Sequence, residues 1–274
     1  MRTDDFRPIV RLTARERWGF GTRDLKRMMA LQPNGCLVAA MSGEPIGFTT
    51  AISYGKNVGW IGNVIVSEKH RGTGVGSNLV RSALEYLLSI HVKRIGLYSY
   101  PENEAMYKRL DFETTGEFIT LSMQRGAPYP AEKIQKIYLP QILRLDKRAF
   151  GADRSKLLTR LYHEFPEAWT CIVNEAGVSG YSVVKQYQDS SEIGPLVCRH
   201  MNKQPMEALL RSSIARTEKW PLEISVPASN VLVAETAERF GFRLEKKGVA
   251  MSYAQLPPIV IGSAIGALGF LDKG

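Results

Sequence analysis

Val66-Ser67-Glu68-Lys69-His70-Arg71-Gly72-Thr73-Gly74-Val75-Gly76 is the stretch on which the reading of this chain turns. A strand-like apolar run, residues 60–66, precedes it. A run with helical spacing follows, carrying Leu79, Val80, Ala83, Leu84 and Leu87 on one face. Alternate glycines bare the backbone where a phosphate must approach, and the following helix aims unpaired N–H groups and its positive dipole end at that point. Arg71 adds charge-assisted hydrogen bonds. Strand, glycine turn and helix together read as a pyrophosphate cradle formed by Arg71, Gly72, Thr73, Gly74, Val75, Gly76 and Ser77. Two common cradles do not fit. No Gly-Lys-Ser/Thr closes the loop, and the spacing is GxGxG rather than GxGxxG, with the next strand ending in Tyr98-Ser99-Tyr100 instead of an acidic residue.

Upstream of the cradle, an alternating apolar pattern opens at Ile9-Val10-Arg11-Leu12, and residues 22–31 read as a helix stopped by Pro33-Asn34-Gly35. Strand-like runs at 36–41, 46–54 and 60–66 are separated by the hairpin signals Ser42-Gly43-Glu44-Pro45 and Gly55-Lys56-Asn57. Downstream come the helix to about residue 90, a strand at 94–99, a short helix at 103–110 and a final pair of strands over 113–123. Gly126-Ala127-Pro128-Tyr129-Pro130 reads as a linker. The pattern then recurs at an offset of about 132–133 residues. LVAAMSGEPIGF from Leu37 lines up with TCIVNEAGVSGY from Thr170. Ile61-Gly62-Asn63-Val64 matches Ile193-Gly194-Pro195-Leu196, and Leu110-Asp111-Phe112 meets Phe240-Gly241-Phe242. A period this long is a duplicated domain rather than a solenoid. The expected architecture is mixed α/β in two copies, residues 1–127 and 128–274.

Arg71-x-x-Gly74-x-Gly76 resembles the signature of the GNAT acyltransferase superfamily, and the order of elements over residues 7–124 is similar to that fold throughout. Asn103 and Tyr107 followed by Leu110-Asp111-Phe112 resemble its second signature. The resemblance implies two tandem GNAT-like domains, with acetyl-CoA or another acyl-CoA as donor. It implies that Val64, Ile65 and Val66 offer a strand edge to the pantetheine arm, splayed from 95–99, with a backbone N–H near Val64 polarising the thioester carbonyl. Asn103 would join the cofactor contacts. Tyr107 is the expected general acid for the leaving thiolate, since a phenol is protonated at neutral pH. The general base stays open. Where many relatives carry Glu, this sequence has Trp60, which is either a wall of the acceptor pocket or a strand aromatic packed in the core. Asn63 cannot accept a proton but shares that strand region. Glu192, Tyr54 and Asp153 remain as bases only by elimination, and His70 reads as a polar or phosphate contact beside Arg71.

In the second copy the cradle is replaced by Arg199-His200-Met201-Asn202-Lys203-Gln204-Pro205-Met206, without a glycine, and Ala237 stands at the Tyr107 position. Phe150-Gly151-Ala152-Asp153-Arg154 and the tail at 259–269 resemble a tandem GNAT subgroup with a degenerate C-terminal half. By that resemblance the second copy shapes the acceptor site. Asp153 and Arg154 are then acceptor contacts, or else a helix cap and a solvated arginine.

Composition narrows the partners. The 274 residues carry 36 Lys+Arg against 27 Asp+Glu, a net charge of +9, split nearly evenly: 17 against 12 up to residue 125, and 19 against 15 beyond. This diffuse excess, with no basic arm or stacking aromatics, suits attraction of polyanionic CoA better than nucleic-acid binding, so no nucleic-acid partner is expected. The longest apolar tail, 257–270, is broken by three glycines, and no apolar leader follows Met1, so no membrane partner and a cytoplasmic location are expected. Cys36, Cys171 and Cys198 lack CxxC spacing and the four histidines are scattered, so neither disulfides nor a metal are expected. The resulting expectation is an acetyl-CoA-dependent N-acetyltransferase. It would transfer an acyl group to a primary amine, on a small molecule or peptide, by direct attack in a ternary complex. A non-catalytic acyl-CoA-binding sensor is the alternative.

Overall fold

The computed structural model describes residues 1–16, 18–126 and 137–269. The expected linker lies outside them from residue 127 onward. The described chain divides into two compact units, Met1–Thr115 with Val249–Ile259, and Gly116–Gly248 with the residues from Val260 on. The units therefore do not coincide with the two sequence repeats.

Unit 1 begins with α1 (Phe6–Arg15), where the alternating pattern at Ile9-Val10-Arg11-Leu12 suggested extended chain. Helix wins because Phe6, Ile9 and Thr13, spaced three and four apart, are the residues that reach the interior. Next come α2 (Thr22–Leu31), β1 (Cys36–Met41), β2 (Glu44–Tyr54), β3 (Val58–Val66), α3 (Val75–Ser89), β4 (Ile95–Ser99) and α4 (Pro101–Lys108). A two-residue turn with positive φ at both Ser42 and Gly43 joins β1 to β2, the geometry that twists correctly into a hairpin. β1, β2 and β3 pair antiparallel in sequence order, and β3 meets β4 in parallel across α3. Phe6, Ile9, Leu25, Met28, Phe48 and Ile65 form one core, and Ile61, Val80, Ala83, Leu87 and Ile95 belong to another.

The residues expected to form two strands over 113–123 form one, β5 (Phe112–Met123), because no turn interrupts it at Gly116. Its first residues belong to unit 1 and its last to unit 2. The reciprocal strand is β10 (Arg243–Tyr253), whose residues 249–252 pair antiparallel with 99–96 of β4 in unit 1. Val249, Met251 and Tyr253 join the core of that unit.

Unit 2 contains α5 (Leu139–Phe150), α6 (Ser155–Glu164), β6 (Trp169–Asn174), β7 (Gly177–Gln186), β8 (Ser191–Cys198), α7 (Lys203–Ala215), β9 (Leu222–Pro227) and α8 (Val231–Arg239), with a late short strand β11 (Ile265–Ala267). Its strands run β6-β7-β8-β9, and residues 118–123 of β5 pair with β9. Leu121 and Met123 enter its core beside Leu196, Leu209, Ile224 and Phe242. Each unit is thus completed by a strand from the other repeat.

Candidate active site

The glycine loop occupies the eight residues 67–74 between β3 and α3. It is tied to itself: Ser67 Oγ and His70 Nδ1 lie 2.7 Å apart, Thr73 Oγ1 donates to His70 O at 2.7 Å, and Arg71 Nε donates to Val66 O at 3.1 Å. The Arg71 guanidinium also pairs with Glu16, just past the end of α1. Gly72 and Gly74 hold φ of +74° and +87°, and Gly74 caps α3. A Cβ at either would meet nothing within 4 Å, so backbone conformation, not crowding, requires glycine there, and the flank stands open. The first hydrogen bond of α3 runs from Asn78 N–H to Gly74 O at 3.0 Å. The N–H groups of Val75, Gly76 and Ser77 precede that ladder and are positioned for an anion. The residues present fit a pyrophosphate.

β3 and β4 pair only at Gly59↔Ile95 and Trp60↔Gly96. Beyond that point they diverge, and among the described residues no strand pairs with residues 61–66 on the β4 side. On its other side β3 follows β2 with a slip. Thr50 faces Gly62 and Phe48 faces Ile65, so Asn63 and Val64 together oppose Thr49. This is a β-bulge, with Asn63 at φ +55°. Val64 and Val66 are half-buried and Ile65 is in the core.

Tyr107, on α4, is 7% exposed and packs edge-on against Phe112, with ring centroids 6.2 Å apart. Burial pushes its phenol pKa up, which keeps it protonated at neutral pH. Its hydroxyl has no hydrogen-bond partner among the described residues. Asn103 lies exposed on the same helix, one turn earlier.

Of the remaining candidates, Trp60, Asn63, Arg154 and Tyr54 are buried, Glu192 is half-buried and Asp153 is exposed. Trp60 is 2% exposed, packed on Tyr98 at 4.6 Å, and its Nε1–H has no partner among the described residues; it is a core aromatic of β3. The Asn63 amide is turned inward to Thr50 Oγ1 at 2.9 Å and Met28 Sδ at 3.6 Å. Arg154 is 2% exposed, its Nη2 2.6 Å and Nε 3.1 Å from the Asp146 carboxylate, which also accepts from Tyr181. Asp153 accepts from Ser155 N–H at 3.0 Å and Lys147 Nζ at 3.1 Å. A hydrogen bond from the Ser155 side chain first, then those from its N–H and from Lys147, pull its pKa down to about 2, far too low for a useful base near neutrality. Glu192, on β8, accepts from Lys185 at 2.7 Å and Tyr187 at 2.9 Å, and Tyr54 is buried.

In unit 2 the matching loop shrinks to the four residues 199–202, none with positive φ, and Pro205 removes a first-turn N–H from α7. β8 and β9 also pair briefly, at 191–193 with 222–224, and then diverge. That wedge is filled by β11, which pairs with β8 at Ile265↔Val197 and Ala267↔Leu196, while Leu268 N–H donates to Ser225 O of β9 at 2.8 Å. The filling strand lay in the tail, but its placement between β8 and β9 needed long-range pairing that no local pattern announces. Thr49 and Thr50 are adjacent hydroxyls within the apolar run 46–52 of β2, and both are buried.

The comparisons agree with this geometry. Residues 3–112 match the acetyltransferase (GNAT) family, and residues 142–263 match an acetyltransferase (GNAT) domain. The chain belongs to the GNAT acetyltransferase family: it is an acyltransferase with two GNAT domains in tandem. Holothin acyltransferase of Pseudoalteromonas sp. (strain SANK 73390) is 22% identical over 83% of this chain and 77% of its own length. The uncharacterized N-acetyltransferase YitH of Bacillus subtilis (strain 168) is 22% identical over 93% and 90%. In fold, the chain superimposes on a Pyrococcus horikoshii protein, itself assigned only provisionally as an acetyltransferase. That match has a TM-score of 0.82 at 21% identity, covering 100% of this chain and 94% of that one. Among the described residues no helix is long and apolar enough to cross a membrane, and no group of three or more His, Cys, Asp or Glu is arranged to hold a metal ion.

Proposed function

We propose that unit 1 binds an acyl-CoA, acetyl-CoA first among them, and transfers the acyl group to a primary amine on a small molecule or peptide by direct attack in a ternary complex. The observation that carries this reading is the β3–β4 wedge set against the β8–β9 wedge. The second shows what such a wedge accepts: an extended chain bearing amides, hydrogen-bonded along the strand edge. The pantetheine arm of CoA is an extended chain bearing amides. In unit 1 the divergent edge of β3 leads directly to a loop with open glycines and an anion-directed helix N-terminus.

An acyl-CoA supplies an activated thioester. The amine arrives neutral, having lost a proton to solvent. Its nitrogen bonds to the acyl carbon, the carbon–sulfur bond breaks, and a backbone N–H at the β3 bulge, near Val64, stabilises charge on the carbonyl oxygen. Tyr107 gives its phenolic proton to the departing sulfur, and the second nitrogen proton returns through water to the phenolate. Arg71 and the N–H groups of residues 72–77 hold the pyrophosphate, and Asn103 contacts the cofactor beside Tyr107.

The test is acyl transfer from acetyl-CoA across a panel of amines, with Tyr107→Phe as the variant. The expected result is a kcat lower by about 100-fold with acetyl-CoA binding within twofold of wild type. Wild-type kcat in the variant removes Tyr107 from the mechanism. A CoA-dependent thermal shift without transfer to any amine favours the sensor.

A further inference from the structure

The bulge that carries the proposed carbonyl contact is held by a buried polar node with no role in the mechanism so far. Asn63 sits at φ +55°, a left-handed conformation that Asn tolerates better than most residues with side chains. Its side chain is 6% exposed and donates to Thr50 Oγ1 at 2.9 Å. Thr50 Oγ1 in turn donates to Gly62 O at 3.2 Å, and Thr49 Oγ1 donates to the same carbonyl at 2.9 Å. Both threonines are fully buried. The hydroxyls therefore grip the residue before the bulge, and the Asn63 amide grips a hydroxyl from within it. Polar groups so deep, among Met28, Phe48 and Ile65, persist only where fully bonded.

We propose that Thr50 and Asn63 are positioning residues for acyl transfer: together they lock the β3 bulge in the one geometry that presents its backbone N–H to the thioester carbonyl. This rests on the acyltransferase reading of unit 1. The second copy supports the coupling. Continuing the repeat from Phe48 and Tyr181, Thr50 corresponds to Val183, while Asn63 corresponds to Pro195. β8 slips in register within one residue of the same place, with Ser182 facing Leu196 and Val184 facing Ile193. A bulge alone is therefore kept without the lock. Ser182 keeps a hydroxyl at the Thr49 position, but the Thr50 hydroxyl and the Asn63 amide occur only in the copy that also has the glycine cradle, which is the pattern expected if they serve chemistry rather than the bend.

The experiment measures kcat and KM for acetyl-CoA, and the melting temperature, in Thr50→Val, Thr50→Ser and Asn63→Gly. An oxyanion donor is worth roughly 100- to 1000-fold in kcat, so a displaced one should cost about 10- to 100-fold. Thr50→Val is expected to lose that much kcat with KM within twofold. Thr50→Ser, which keeps the hydroxyl, should recover most of it. Asn63→Gly, which keeps the left-handed backbone but not the side-chain bond, should fall between. A lower melting temperature in Thr50→Val with undiminished kcat below the transition overturns the lock, and so does an equal loss in Thr50→Ser. If wild type neither binds acetyl-CoA nor transfers its acyl group, the acyltransferase reading falls and the lock with it. Transfer by wild type with wild-type kcat in Thr50→Val sinks the lock alone.

Discussion

The two GNAT domains of this chain build the same wedge and treat it differently. In both, a parallel strand pair closes for two or three residues and then opens. In unit 2 the opening is taken by β11, and the loop beside it is short, glycine-free and blunted by Pro205. In unit 1 the loop is twice as long, two of its glycines adopt left-handed φ, and the helix behind it starts with unladdered N–H groups. The difference teaches where a GNAT domain keeps its chemistry. The strands and helices survive in both copies because they make the core. Only the loop and the filling of the wedge separate the open copy from the self-filled one. Evidence for function therefore lies in what fills the edge of β3 rather than in the fold itself.

The largest effect should come from cutting the chain between the repeats. A protein ending at residue 127 keeps the whole first repeat but loses β10, which pairs with β4 and buries Val249, Met251 and Tyr253 in unit 1. Each such side chain is worth about 1.5–3 kcal/mol, and a whole domain only about 5–15 kcal/mol. The fragment is expected to show no cooperative thermal transition by circular dichroism, and to regain one when co-expressed with residues 128–274. A fragment that melts cooperatively alone would mean that β10 is an accessory to unit 1 and not part of it.

Next in size is the response of the two loops to charge. Gly74→Glu puts a side chain and a negative charge on a left-handed residue at the mouth of α3, and should abolish the thermal shift given by acetyl-CoA, a loss of at least about 100-fold in affinity. Lys203→Glu, at the first turn of α7 in the other copy, should leave that shift intact. Isothermal titration of both variants decides it; the opposite pattern would reverse the assignment of the two copies.

Much of this contrast was legible in the sequence, and the reason is locality. Arg71-x-x-Gly74-x-Gly76, the repeat offset and the stripped second loop depend on neighbours along the chain, so pattern carries them. What escaped was settled by partners far away. Ile9-Val10-Arg11-Leu12 alternates like a strand, yet Phe6 and Thr13 supply a helical face that only the packed core selects. β5 and β10 have ordinary strand patterns that do not say which unit they complete. Arg154 looked available to a ligand, but Asp146, eight residues earlier on α5, pairs with it inside, and Tyr181 on β7 donates to that same carboxylate. Trp60 left two readings open, and the packing of Tyr98 against it selects the core.

Trp60 also marks the finest difference between the copies. In unit 1 the register runs Ile52–Trp60–Gly96 across β2, β3 and β4; in unit 2 the corresponding row is Lys185–Glu192–Glu223 across β7, β8 and β9. An apolar row in one copy is a charged row in the other. Lys185 neutralises Glu192 at 2.7 Å and spends a second bond on Gly269 O, which leaves Glu223 beside a carboxylate without a cation of its own in the row. Burial first, then the charges of Glu192 and Glu245 against a smaller opposing effect of Lys246, push the Glu223 pKa up to about 7 from an ordinary 4.5. Between those two values the unfolded chain has released the proton and the folded one still holds it. Stability must therefore fall as pH rises through that window, and the loss is complete above about pH 7. The shift corresponds to roughly 3 kcal/mol. Glu223→Gln, which resembles the protonated acid at every pH, should match wild type near pH 4.5 and exceed it by that amount at pH 8 in urea unfolding of the full chain. Parallel pH profiles for the two proteins would show that the charged row is relieved by solvent and that the rows of the two copies are energetically alike.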